Sequence, residues 1–177
     1  KRQLYLAMQT LDLGATPATL SGVVVWSGIG LLAGSLPAGV IADRIPNKSV
    51  IVGVLTLNLA IATATSTAAI LDIVTFWMLA VSAFIIGTST AFFFPAYTAL
   101  VPVLVDGDDL MAVNGLEGAA RPLVGQAIAP AAVGAVIGAS MPAAGGYLIA
   151  AALGLALLAA LQLPALSLIH ISEPTRR

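Results

Sequence analysis

Between Lys48 and Asp72 the chain carries no charged residue, and it carries none again between Asp72 and Asp106. A bilayer span needs about 20 mostly apolar residues, because the helix must rise through a hydrocarbon layer about 30 Å thick. Each run is long enough. A soluble domain carries roughly 25% charged residues, since its surface must face water. Here charged residues make up 8% of the chain and hydrophobic ones 59%, with a mean hydropathy of +1.04. Most of the surface must therefore face lipid. The expected fold is all-α membrane, a polytopic bundle of transmembrane helices.

Punctuation along the sequence divides it into spans. Leu4 to Leu13 is apolar but too short to cross, and reads as the remnant of a truncated helix. Pro17, after Thr16 as N-cap, suits a first helical position. Helices are expected over about 17–42, 49–71, 73–104, 110–139 and 142–163. The polar segment from Asp43 to Lys48, then Asp72, then Asp106 to Asp109 interrupt them, and Pro142 opens the last. The acids of the Asp106–Asp109 loop suit the N-terminus of the helix that follows. Residues 1–166 are thus expected to form one transmembrane domain. The tail 167–177 is polar, holds the only histidine, His170, and resembles translated sequencing-adapter read-through, so it reads as non-native.

Orientation follows from Lys and Arg in the short loops. Arg44 and Lys48 lie between the first two full spans, and the loops near Gly14, Asp72 and Met141 carry no basic residue. The 43–48 and 106–109 loops are expected on the cytoplasmic side of the cell (inner) membrane. Trp77, Phe76 and Tyr147 then fall at the opposite interface, where aromatic belts sit.

Several chemistries lack their apparatus. The seven basic residues form no cluster that could track a phosphate backbone, so nucleic acid is not an expected partner. No cysteine is present, which removes thiolate metal sites and Cys nucleophiles. Gly28-Ile29-Gly30-Leu31-Leu32-Ala33 mimics a dinucleotide fingerprint but lies inside an apolar span, without the strand-turn-helix setting. Asp106, Asp108 and Glu117 have the outer spacing of a calcium loop, yet Leu110 and Met111 stand where a ligand and the turn glycine belong. No enzyme, cofactor or metal is expected.

Small residues recur at four-residue spacing: Gly30 with Gly34, and Gly134 with Gly138. In lipid such spacing lets helix backbones approach closely, so both pairs are expected in packing. Pro122 and Pro130 in the 110–139 helix remove backbone donors and invite a kink.

Gly39-Val40-Ile41-Ala42-Asp43-Arg44-Ile45-Pro46-Asn47-Lys48 resembles the signature of the major facilitator superfamily between its second and third helices. That signature reads Gly-x-Leu-Ala-Asp-Arg-x-Gly-Arg-Arg/Lys. Gly39, Ala42, Asp43, Arg44 and Lys48 match, Ile41 is a close substitute, and Pro46 and Asn47 depart. Gly39 would permit close helix approach, Asp43 would pair with a cation or cap a helix, and Arg44 and Lys48 would supply cytoplasmic charge. The Phe92–Ala96 run, Val101-Pro102, Ala112–Leu116 and Asp12–Pro17 resemble the branch of bacterial siderophore and macrolide exporters. The resemblance covers residues 4 to 164. It implies two six-helix halves, each of inverted three-helix repeats, with substrate near the midplane. It further implies as partners the lipid bilayer, a small-molecule substrate and a missing carboxy-terminal half. Two departures bear on mechanism. Ala83 occupies the place of an arginine four residues before Gly87, and of the fifth-helix antiporter motif only Gly125 survives in Gly125–Pro130.

Within the full spans only Glu117 and Arg121 are charged, four apart on one helical face. A charge at membrane depth costs about 2.5–3.5 kcal/mol on insertion scales, so it faces a partner or a water-filled cavity. A structural ion pair and a place on the transport path both fit. Asn58 and Gln126 are further candidates for a cavity wall. The expected function is secondary active transport, export of small organic molecules or drugs driven by a proton gradient, with the chain a truncated fragment. The alternative is a fragment that packs in the membrane without activity of its own.

Overall fold

The computed structural model describes residues 17–42, 44–105 and 109–163. Among them there is no strand. The helices are α1 (Pro17–Ala42), α2 (Asn47–Ile70), α3 (Phe76–Leu104) and α4 (Leu110–Pro122), then α5 (Ala129–Ala139) and α6 (Pro142–Gln162). A π-helical stretch, Leu123–Ile128, joins α4 to α5. The Leu4–Leu13 remnant, Thr16 and the 167–177 tail lie outside the described residues. Five helices are long and apolar enough to cross a membrane, the shortest having 20 residues. At 1.5 Å per residue that helix alone is about 30 Å long, the thickness of a hydrocarbon core.

Polarity in this bundle is inverted relative to a soluble protein. Asn58, Thr65, Ser66, Ser82 and Ser89 are buried, while Leu32, Leu36 and Leu155 stand exposed on the outside. Water would penalise such a surface, whereas lipid accepts it. Several hydroxyls inside the helices are satisfied locally: Ser82 donates to the Met78 carbonyl at 2.7 Å, and Thr90 to that of Ile86 at 2.9 Å.

Local chemistry explains the boundaries. Asp72 has φ 54°, the left-handed conformation that short polar side chains tolerate better than most. Its amide donates to the Ala69 carbonyl and that of Ile73 to the Ala68 carbonyl, so α2 ends in a Schellman motif. Thr75 then caps α3, accepting from the Met78 amide at 3.3 Å. The expected start at 73 therefore moves to 76. At α4 Asp109 stands at the N-cap, where an acid suits the helix N-terminus as expected, although its side chain makes no capping hydrogen bond. The single helix expected over 110–139 is instead three segments. Pro130 has no N–H and its ring crowds the carbonyl four residues back, so the ladder between Pro122 and Pro130 shifts to wider, π-type closure.

α1 runs parallel to α3, since Gly22, Gly30 and Gly34 meet Phe76, Phe84 and Thr88 in the same order, whereas α2 runs antiparallel to α6, with Lys48 near Leu161 and Thr67 near Tyr147. α1 lies along α3, α2 contacts both α3 and α6, and α5 contacts α6. Ile51 and Leu55 of α2 meet Ala96 and Leu100 of α3 and Ala160 of α6 at one end. Val23 of α1 meets Leu79 and Ala83 of α3 toward the other. There the Trp26 and Trp77 rings stand edge-on at 6.3 Å, and the Thr67 and Tyr147 hydroxyls share a hydrogen bond of 2.9 Å.

The glycines sort into two groups. A Cβ on Gly30 would lie 2.0 Å from the Phe84 carbonyl oxygen, and one on Gly87 would lie 2.0 Å from that of Ser27. Thr88 adds a hydrogen bond to the Gly30 carbonyl at 3.0 Å. Gly30 and Gly34 therefore do bring α1 against α3. The expectation fails for Gly134 and Gly138, where an added Cβ would meet nothing within 4 Å. At Gly39, too, an added Cβ would meet nothing within 4 Å among the described residues.

Candidate functional site

Apart from Lys48 in the first turn of α2, charge within the described spans is confined to α4. This helix is the most amphipathic of the described ones and has no buried residue. Asn114, Glu117 and Arg121 recur at i, i+3 and i+7, which places them on one face. Arg121 Nη2 donates to Glu117 Oε1 at 2.5 Å. The pair anticipated from spacing is formed, and its geometry is only half of the arrangement.

Two rings from α3 complete it. The Arg121 guanidinium carbon lies 5.3 Å from the Phe94 ring centroid and 5.9 Å from that of Tyr97. Phe93 stacks on Tyr97 with centroids 5.7 Å apart and planes 13° apart. Because α4 makes little other contact with the bundle, this cluster is its main tie to α3. The side chains of Arg121 and Glu117 remain 49% and 27% exposed, so both stay reachable. Phe94 and Tyr97 had not been singled out as partners. Their three-residue spacing was the available signal, since it puts two rings on one face of α3.

The other sequence candidates do not join this cluster. Gly125 and Gln126 fall in the π-helical stretch, where Gln126 is exposed. Asn58 is 2% exposed, enclosed by helix packing. Its amide has no hydrogen-bond partner among the described residues, nor has the Ser89 hydroxyl. In the signature loop Arg44 is exposed, and Asp43 lies outside the described residues. Lys48 reaches across the bundle, donating to the Leu161 carbonyl at 3.0 Å and to the Leu163 carbonyl at the end of α6.

A concavity of about 350 Å3 runs between the α1–α2 turn, α2 and α3, lined by residues such as Ile45, Gly53, Phe84 and Ser89. Its lining holds no charged side chain. It can seat an apolar body but cannot hold or move a charge, so the α4 cluster is the stronger candidate. Among the described residues no group of three His, Cys, Asp or Glu could hold a metal.

Over residues 4–176 the chain matches the family model described as the Major Facilitator Superfamily. No curated protein and no solved structure matches it.

Proposed function

Because the chain belongs to the major facilitator superfamily and is a multi-pass membrane transporter protein, we propose that it exports small organic molecules in exchange for protons, as part of a two-half transporter. The observation that carries this reading is the Glu117–Arg121 pair within a membrane-crossing helix. Charges at membrane depth are expensive and characteristically mark ion and substrate paths. This pair is left on a helix with no buried residue, where a second body can reach it. The likeness of the Phe92–Ala96 and Asp12–Pro17 segments to siderophore and macrolide exporters supports export.

Transporters of this superfamily consist of two six-helix halves that rock about a central site. The described residues contribute five spans. In proteoliposomes with an imposed pH gradient, the 177-residue chain should therefore give no saturable flux above empty vesicles. The chain joined to a second six-helix half should give gradient-dependent flux. Saturable flux from the 177 residues alone would overturn the two-half reading. Absence of gradient-dependent flux from the completed protein, across cationic, anionic and neutral drugs, would overturn the exporter reading.

We place the α1–α2 and α3–α4 turns on the cytoplasmic side, because Arg44 and Lys48 accompany the former. The chain has no cysteine, so single cysteines report without background. In intact cells an impermeant maleimide should label residues 73 and 141 but reach 45 and 109 only after permeabilisation. Labelling of 109 from outside would reverse the layout.

A further inference from the structure

We propose that the Glu117 carboxylate and the ring faces of Phe94 and Tyr97 form a binding site for a lipophilic organic cation, which the Arg121 guanidinium fills in this structure as an internal stand-in. The inference deepens the transporter reading and rests on it, since it names the chemical class of the cargo.

The arrangement has what such a cation requires. The carboxylate supplies a full opposite charge, 2.5 Å from the guanidinium. The Phe94 and Tyr97 rings lie 5.3 and 5.9 Å from its carbon, within the distance at which a ring's negative face attracts a cation. Phe93, stacked on Tyr97, extends the aromatic wall for an apolar body. These interactions strengthen as water is excluded.

Two further facts favour exchange with a ligand over a purely internal bond. The Arg121 side chain is half exposed on a long flexible stem, and Glu117 is itself partly exposed. Swinging Arg121 toward solvent would vacate the carboxylate and both rings together. An anionic ligand would have to displace Glu117 and then lie against the negative ring faces, which repel it. The carboxylate and both ring faces all select for positive charge.

The probes are tetraphenylphosphonium and tetraphenylborate, ions of matched shape and opposite charge. Equilibrium binding to the purified chain in lipid nanodiscs, in alkaline buffer and without any gradient, is compared among variants. Arg121→Ala should tighten tetraphenylphosphonium about tenfold, by removing the competing internal cation. In that background Glu117→Gln should abolish the gain, and Phe94→Leu or Tyr97→Leu should each weaken binding about 2- to 10-fold. Tetraphenylborate should not tighten in Arg121→Ala. Should that variant fold poorly, Arg121→Met keeps the apolar stem and carries the same expectation, with melting temperature as the control for folding. Phosphonium binding that is unchanged or weakened in a folded Arg121 variant overturns the proposal, as does tightening that survives Glu117→Gln. Because the assay needs no flux, a failed cation site leaves the transport measurement standing, and failed transport leaves the binding result standing.

Discussion

Gly87→Ala should sharply lower the folded fraction of this protein, as should Gly30→Ala. The new Cβ would lie 2.0 Å from the Ser27 carbonyl oxygen and 2.9 Å from its carbon. These are backbone atoms of α1, and no rotamer change relieves the overlap. The two helices would have to part along their shared length, losing contacts around Thr88 and Gly30. Overpacking a tight interface typically costs about 1–3 kcal/mol, and a backbone collision belongs at or above the top of that range. Alanine's better helix propensity returns only about 1 kcal/mol. Gly134→Ala is the matched control, since its Cβ meets nothing within 4 Å, and it should be neutral or mildly stabilising. Thermal unfolding in detergent, followed by circular dichroism, gives the comparison. A Gly87→Ala protein that melts no lower than Gly134→Ala would remove the α1–α3 close approach from this account.

Lys48→Met should loosen the junction of α2 and α6. Considered within its own helix, Lys48 is badly placed, because a cation in the first turn opposes the macrodipole. Its ammonium instead reaches the carbonyls of Leu161 and Leu163 at the end of α6. Those groups have no partner further along the helix, and a cation beside them is favourable. Charge-assisted hydrogen bonds and the dipole together suggest a loss of about 1–3 kcal/mol on removal. Lys48→Arg, which keeps charge and reach, should lose less. Limited proteolysis near residue 163, read with the melting temperature, separates local loosening from global instability. If cleavage and melting in Lys48→Met match the parent, the contact is incidental. If the prediction holds, one residue of the family signature also serves as a remote cap, 113 residues from its acceptor in the chain.

The number, order and rough ends of the spans were legible in the sequence. In hydrocarbon each backbone donor and acceptor must be satisfied within its own helix, so length and apolarity are enough to define the element. The Glu117–Arg121 pair was legible for the same reason, because partners four residues apart meet on any helix. The Pro122–Pro130 interval marked where α-helical bonding would fail, although the π-helical form it takes had to be seen. Tertiary structure decided which small residues lie at an interface: Gly30, Gly34 and Gly87 do, whereas an added Cβ at Gly39, Gly134 or Gly138 meets open space. It also decided that Asn58 is enclosed, that Lys48 ends on α6, and that Phe94 and Tyr97 flank Arg121. Helices that are apolar on every side carry no stripe to announce which face meets a neighbour. With lipid as apolar as any side chain, that choice falls to shape and to a few hydrogen bonds, which are properties of two helices together and of neither one alone.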